Sequence, residues 1–144
     1  MIWLLRHGAA EQAAEDDASR RLTVKGERQA RAAGAALAEL GAGIERCLAS
    51  PKLRAAETAR LACEPLDVEV ETSEVLSGGD FDPSRLVDER PTLLVGHEPD
   101  FSRAVEAVTG ARIELKKGGI AVLDGPLLVA LMRPVQLRRI AAPG

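Results

Sequence analysis

Short apolar runs alternate with longer amphipathic segments along most of this 144-residue chain. Residues 2–5 and 92–95 are continuous apolar runs, as expected of strands that are buried on both faces of a sheet. Residues 46–49 predict another strand, and residues 68–71 alternate Val with Glu, which predicts a half-exposed strand. Strands that alternate with helices are typical of an α/β fold with a mainly parallel sheet.

Two helices are predicted between the first strands. Apolar residues spaced as on one helix face run through residues 24–40, with Thr23 as the N-cap. In the second helix Ser50 is predicted to be the N-cap and Pro51 the first helical residue, because proline at that position loses no hydrogen bond. This helix is predicted to end near Cys63.

The last part of the chain changes character. The pattern predicts a short helix over residues 83–88 and a longer helix over residues 99–110. Glycine and proline turns then separate three predicted strands, over residues 113–115, 120–123 and 127–132. We therefore expect residues 1–144 to form one three-layer α/β domain, with a mainly parallel sheet flanked by helices and antiparallel C-terminal strands.

Charge and aromatic content argue against several classes of function. The chain has 19 Lys and Arg against 22 Asp and Glu, a net charge of −3, whereas nucleic-acid-binding domains are normally basic. One Trp, two Phe and no Tyr leave few rings on which bases could stack. The apolar start, residues 1–5, is too short for a signal peptide or a membrane span. We expect a cytoplasmic protein with no nucleic-acid or membrane partner.

The cysteines give no sign of a metal site. Cys47 and Cys63 are sixteen positions apart, without the spacing of zinc ligands, and are expected to be reduced, buried thiols. No cluster of carboxylates suited to Mg²⁺ is visible. We expect the protein to use no metal and no cofactor.

The chain contains only two histidines, and each follows a predicted strand. His7 comes after residues 2–5, and His97 comes after residues 92–95. Because ligands bind beyond the carboxyl ends of strands in open α/β sheets, both imidazoles are expected at one edge of the sheet. A histidine at a strand end can also be a structural cap, but the placement of both favours a functional site.

Two arginines add positive charge at the same edge. Arg6 precedes His7, and Arg54 lies on the first turn of a predicted helix, where an arginine is unfavourable unless an anion binds there. Guanidinium groups hold phosphoryl oxygens well, and a neutral imidazole can attack phosphorus as a nucleophile. The four side chains therefore predict a site for phosphoryl transfer.

Four stretches resemble the signature segments of the histidine phosphatase superfamily, in the order of that family and over roughly residues 1–110. They are Arg6-His7-Gly8, Leu22-Thr23-x-x-Gly26-x-x-Gln29-Ala30, Ser50-Pro51-x-x-Arg54-Ala55-x-x-Thr58-Ala59 and Gly96-His97-Glu98-Pro99. The short chain without an inserted helical cap is similar to the small bacterial phosphohistidine phosphatases of the SixA type. The resemblance implies a phosphoglycerate mutase-like fold.

The resemblance also implies a role for each of the four side chains. His7 is the expected nucleophile, which becomes phosphorylated. Arg6 and Arg54 are expected to bind the phosphoryl oxygens, and His97 is expected to be a further donor to the transition state. Water then hydrolyses the phosphohistidine intermediate.

The sequence departs from the family at two places. Ala9 and Ala10 stand where many relatives carry a hydroxyl or amide that touches phosphate, and Gly78 stands where the mutase branch carries an acid. The missing acid argues against mutase activity and favours phosphohistidine, because the P–N bond is labile once its imidazole is protonated. Three carboxylates are candidate acids, although the sequence around each is more typical of a solvated loop residue: Glu11, Asp80 and Glu98.

The expected partner is therefore a phosphorylated protein that carries phosphohistidine, or a small phosphorylated substrate. Two alternatives to a protein phosphohistidine phosphatase stay open at this stage. The chain could be a phosphatase of a small phosphomonoester, or a non-catalytic regulatory module that binds phosphate.

Overall fold

A computed structural model describes residues 1–12 and 14–142, and the strands found there form one six-stranded sheet. The strands are β1 (Ile2–Arg6), β2 (Arg46–Ala49), β3 (Val70–Thr72), β4 (Thr92–Gly96), β5 (Ile120–Asp124) and β6 (Leu127–Met132). Their order across the sheet is β3-β2-β4-β1-β5-β6. Strands β3, β2, β4 and β1 are parallel to one another, whereas β5 pairs antiparallel with both β1 and β6. This arrangement confirms the predicted sheet.

Helices cover both faces of the sheet. They are α1 (Val24–Glu39), α2 (Leu53–Cys63), α3 (Asp100–Thr109) and α4 (Pro134–Ala141). Side chains alternate across β1, so Trp3 and Leu5 pack with α1, α2 and α4, whereas Leu4 packs with Phe101 of α3 on the other face. The predicted three-layer α/β architecture is confirmed.

Small residues allow α1 and α2 to pack closely. A Cβ added to Gly34 on α1 would lie 2.2 Å from the carbonyl oxygen of Ala62 on α2. Ala33 and Ala59 are also fully buried in the core beneath these helices. These small side chains therefore allow the two helices to pack closely on each other and on the sheet.

The predicted start of one helix and one predicted strand are wrong. Helix α2 begins at Leu53 with Lys52 as its N-cap, not at Pro51 with Ser50 as the N-cap. Residues 113–115 form no strand, because the backbone of Leu115 accepts from Arg6 Nη1 and donates to the Glu98 carboxylate and not to a neighbouring strand. Leu115 is fully buried against the α3 side of the sheet, which explains why this segment resembles a strand in sequence.

Three further elements differ from the predicted ones. The short helix predicted over residues 83–88 is only the 3₁₀ turn Pro83–Arg85, and β3 starts at Val70, two residues later than the predicted strand. Helix α4 was not predicted at all. It is the shortest of the four α-helices named above, and its apolar positions bury only Leu137 completely.

The two cysteines are free and buried, as predicted. Cys47 lies in β2 and Cys63 ends α2, and both belong to the core on the α1 side of the sheet. In the part of the chain that the structure describes, no helix combines the length and apolar character needed to cross a bilayer.

Candidate active site

The pairing of β1 with β4 brings the two histidines together. Arg6 is in register with Gly96, and the backbone N–H of His7 donates to the carbonyl oxygen of Gly96 at 3.0 Å. The next residues along each strand are therefore His7 and His97, whose ring centroids are 5.3 Å apart. The exposed fractions of these residues are only 6% and 5%.

The hydrogen bonds around His7 define its tautomer. Its Nδ1 lies 2.7 Å from the carbonyl oxygen of Gly8, and because a carbonyl only accepts, Nδ1 carries the proton. The other ring nitrogen, Nε2, is left with a free electron pair. This is the form of the imidazole that can act as a nucleophile.

The loop that follows β1 is held by α1 and α2. The N–H of Gly8 donates to Thr58 Oγ1 at 3.1 Å, and the N–H of Ala9 donates to Gln29 Oε1 at 2.8 Å. A Cβ on Gly8 would lie 2.5 Å from the carbonyl oxygen of Gly26, so the loop approaches the start of α1 too closely for any side chain there. These contacts fix the position of the His7 backbone.

Ser50 holds the second histidine. Its Oγ lies 2.8 Å from His97 Nε2 and accepts from the N–H of Lys52 at 3.2 Å. We assign the proton of neutral His97 to Nδ1, because the Ser50 hydroxyl already accepts from Lys52 and has its own proton to donate to Nε2. The side chain that the sequence suggested as a helix cap thus orients an imidazole.

The two arginines are each anchored by one end of the guanidinium group. Arg6 Nη1 donates to the carbonyl oxygen of Leu115 at 3.0 Å. Arg54 Nη1 donates to the carbonyl oxygen of Asp17 at 2.8 Å, and its Nη2 donates to Asp17 Oδ2 at 3.1 Å. Hydrogen bonds from Arg20 and Arg54 lower the pKa of Asp17 to about 2, so this carboxylate is ionised at neutral pH.

Several donors at this edge of the sheet are buried without a partner. In residues 1–12 and 14–142, four buried side-chain polar atoms lack a hydrogen bond. One is the indole nitrogen of Trp3, and the other three are Arg6 Nε, Arg54 Nε and His97 Nδ1. Because buried polar groups are nearly always paired, three unpaired donors at one edge indicate a site for a ligand that accepts hydrogen bonds.

Comparison with known proteins decides the family. Residues 2–84 match the family model of the histidine phosphatase superfamily (branch 1). An uncharacterized protein of Picosynechococcus sp. is 34% identical over an alignment of 134 positions, which covers 83% of this chain and 81% of that protein. The chain belongs to the histidine phosphatase superfamily. Its SixA-type phosphoglycerate mutase-like fold also has counterparts among solved structures.

Two solved structures share this fold. The protein histidine phosphatase SixA, solved in complex with tungstate, has a TM-score of 0.83 at 25% identity, over 94% of this chain and 98% of that chain. A phosphoserine phosphatase of Entamoeba histolytica, solved with 3-phosphoglyceric acid, has a TM-score of 0.72 at 16% identity, over 94% and 98%. The second likeness concerns the fold alone.

The three candidate acids of this histidine phosphatase lie in different surroundings. The Glu98 carboxylate accepts from the N–H of Ser102 at 2.7 Å, from the Ser102 hydroxyl, and from the N–H of Leu115 at 3.4 Å. Asp80 is highly exposed and lies 3.8 Å from Arg103, and Glu11 is exposed on the loop after β1. Within the described part of the chain, none of the three hydrogen-bonds to a site histidine or arginine.

Asp17 is the residue at this site whose position sequence reasoning missed. Asp17 begins the 3₁₀ turn Asp17–Ser19, and its carboxylate forms ion pairs with Arg54, Lys52 and Arg20. Sequence analysis could not find the contact with Arg54, because a contact between a loop and a distant helix leaves no periodic signal. Among the described residues, no three His, Cys, Asp or Glu side chains cluster as ligands of a metal ion would.

Burial of the two histidines predicts that acid destabilises the fold. Desolvation lowers the pKa of His7 to about 4 and the pKa of His97 to about 3, from an ordinary 6.5. Between these values the unfolded chain binds protons that the folded chain does not, so the free energy of unfolding falls with falling pH. The expected loss between pH 7 and pH 4 is about 3 kcal/mol for each histidine.

Urea unfolding at a series of pH values measures this loss. The double variant His7→Asn, His97→Asn should show a flatter profile over the same range, because asparagine binds no proton. If both proteins lose stability equally between pH 7 and pH 4, the histidines are not the cause.

Proposed function

We propose that this chain is a phosphatase that forms a covalent phosphohistidine on His7 and acts on phosphohistidine in proteins. The observation that carries this proposal is the group of unpaired donors, Arg6 Nε, Arg54 Nε and His97 Nδ1, beside an imidazole with a free electron pair. We further propose that residues 1–144 act as one cytoplasmic domain without an inserted cap, metal or cofactor.

The first step of the proposed reaction is transfer of the phosphoryl group to His7. Nε2 attacks phosphorus, the P–Nε2 bond forms, and the P–N bond to the substrate imidazole breaks. Arg6, Arg54 and His97 donate to the phosphoryl oxygens, and fixed donors of this kind stabilise the charge of the transition state. The leaving imidazole departs neutral when it has been protonated beforehand.

The low pKa of His7 and its bond to Gly8 serve this step. Because the pKa is about 4, the imidazole is neutral and nucleophilic at pH 7. Once Nε2 bonds to phosphorus the ring becomes cationic, and the Gly8 carbonyl oxygen, 2.7 Å from Nδ1, stabilises that charge. In the second step a water oxygen attacks phosphorus, the P–Nε2 bond breaks, and inorganic phosphate and neutral His7 result.

The carboxylates near the site support phosphohistidine as the substrate. Asp17, whose pKa is about 2, has no proton to donate at pH 7, and Glu98 is committed to Ser102 and Leu115. Phosphomonoesters with poor leaving groups need a general acid, whereas a protonated phosphoramidate does not. The likeness to SixA, described as a protein histidine phosphatase, supports the same substrate class.

A comparison of substrates tests this assignment. We expect turnover of an N-phosphohistidine peptide to exceed that of phosphoserine and of a sugar phosphate by at least about a hundredfold in kcat/KM, the scale of general acid catalysis. If a phosphomonoester is turned over faster than the peptide, the substrate is a small molecule and not a phosphoprotein. Inorganic phosphate release serves as the common readout.

A further inference from the structure

A groove of positive charge leads away from Arg6. Two adjoining clefts of about 480 and 320 Å³ share Gln29, Pro134 and Val135, and Arg6 lines the first of them. The clefts lie between α1, α4 and the segment before β5. Besides Arg6, six basic side chains line what we call the basic groove: Lys25, Arg28, Lys116, Lys117, Arg133 and Arg138.

Most of the charge in the basic groove is not neutralised. Lys116 Nζ pairs with Glu114 Oε1 at 2.7 Å, and Glu114 is the one carboxylate among the described lining residues. Within residues 1–12 and 14–142 the other five basic side chains have no carboxylate within 4.0 Å, and all six are exposed. In a chain with a net charge of −3, this is a local excess of positive charge. Such a surface attracts an acidic partner.

The groove starts at the site of chemistry. The N–H of Gly118 lies 3.1 Å from the carbonyl oxygens of both Arg6 and His7, which fixes the turn carrying Lys116 and Lys117 beside the nucleophile. The charge of Lys117 also contributes to the lowered pKa of His7. A phosphoryl group bound by Arg6 would therefore place the neighbouring residues of its protein over the basic groove.

We propose that the basic groove binds an acidic segment of the phosphoprotein substrate, next to its phosphohistidine. This inference rests on the proposed function, since it names the feature by which the same site selects its protein. Exposed ion pairs are individually weak, so several groove cations together supply the selectivity. The groove contributes to binding of the substrate. The three cations of the second cleft, Lys25, Arg28 and Arg138, are the outer groove residues and take no part in the chemical step.

Synthetic peptides test the inference directly. Three peptides carry the same central N-phosphohistidine, flanked on both sides by glutamates, by glutamines or by lysines. At low salt we expect kcat/KM to be about tenfold higher for the glutamate peptide than for the glutamine peptide, through a lower KM, and lowest for the lysine peptide. About 1 M salt should remove the difference, because charges are then screened within about 3 Å.

Charge reversal locates the effect in the groove. The triple variant Lys25→Glu, Arg28→Glu, Arg138→Glu changes only outer groove residues and should abolish the preference for the glutamate peptide. The variant Arg60→Glu, Arg85→Glu, Arg103→Glu is the matched control, because it makes the same change of charge at exposed arginines outside the groove. The control should keep the roughly tenfold preference.

Hydrolysis of phosphoramidate separates this inference from the proposed function. Both triple variants should hydrolyse phosphoramidate at the parent rate, which also shows that they fold. A parent protein that hydrolyses neither phosphoramidate nor any of the peptides would refute the proposed function itself. Equal kcat/KM for the three peptides, or a preference that survives charge reversal in the groove, would overturn the groove inference alone. Stronger inhibition by a single-stranded oligonucleotide than by an unphosphorylated glutamate peptide of equal charge would also overturn it.

Discussion

His7→Ala is expected to reduce turnover of phosphohistidine by at least about 10⁴-fold while the fold persists. The proposed reaction passes through a bond between phosphorus and Nε2 of His7, so no other group in the site can replace the lost nucleophile. Phosphate release from an N-phosphohistidine peptide measures the loss. Circular dichroism and the thermal midpoint show whether the protein remains folded.

A polar variant separates the lost nucleophile from the lost hydrogen bond. His7→Asn keeps a hydrogen-bond donor near the Gly8 carbonyl oxygen, yet it cannot form the intermediate. It should be as inactive as His7→Ala. Turnover within about tenfold of the parent protein in either variant would mean that water attacks the substrate directly.

Arg54→Ala is expected to lower kcat by about 10² to 10³ for the same substrate, the scale found when a fixed transition-state donor is removed. Arg54 is buried at the first turn of α2, and its Nε has no partner among the described residues. Arg54→Lys keeps the charge but loses the planar donor group, so most of the loss should remain. A loss of less than about threefold in both variants would remove Arg54 from the phosphate site.

Asp17→Asn is the matched control for Arg54. It removes the negative charge that lies 3.1 Å from Arg54 Nη2 while the arginine itself stays in place. Phosphate competes with the Asp17 carboxylate for the Arg54 guanidinium, so the inhibition constant of inorganic phosphate should fall by a few fold. The opposite change, weaker phosphate binding, would show that Asp17 is needed to hold Arg54 in its binding position.

The sheet and its site edge follow from features that are local in sequence. Buried strands can be recognised in a sequence as apolar runs. Because β1 and β4 are parallel neighbours, His7 and His97 lie at the same edge of the sheet. Arg6 and Arg54 could be found for the same reason, since each lies next to the end of a strand or the start of a helix.

Contacts between distant segments could not be predicted in this way. Ser50 has the right residue type for a helix cap, and only the three-dimensional position of His97, 2.8 Å from its hydroxyl, shows its other role. Asp17 reaches Arg54 through the fold of an irregular loop. Leu115 is apolar like a strand residue, yet its backbone hydrogen-bonds to Arg6 and Glu98 and not to a neighbouring strand.

The covalent intermediate is the central claim, and trapping it is the most direct test. The protein is mixed with an N-phosphohistidine peptide, turnover is stopped with alkali, in which the P–N bond survives, and the protein is analysed by mass spectrometry. We predict one added phosphoryl group, located on His7 and missing from His7→Asn. Full turnover with no phosphorylated protein, or phosphate on a residue other than His7, would contradict the account.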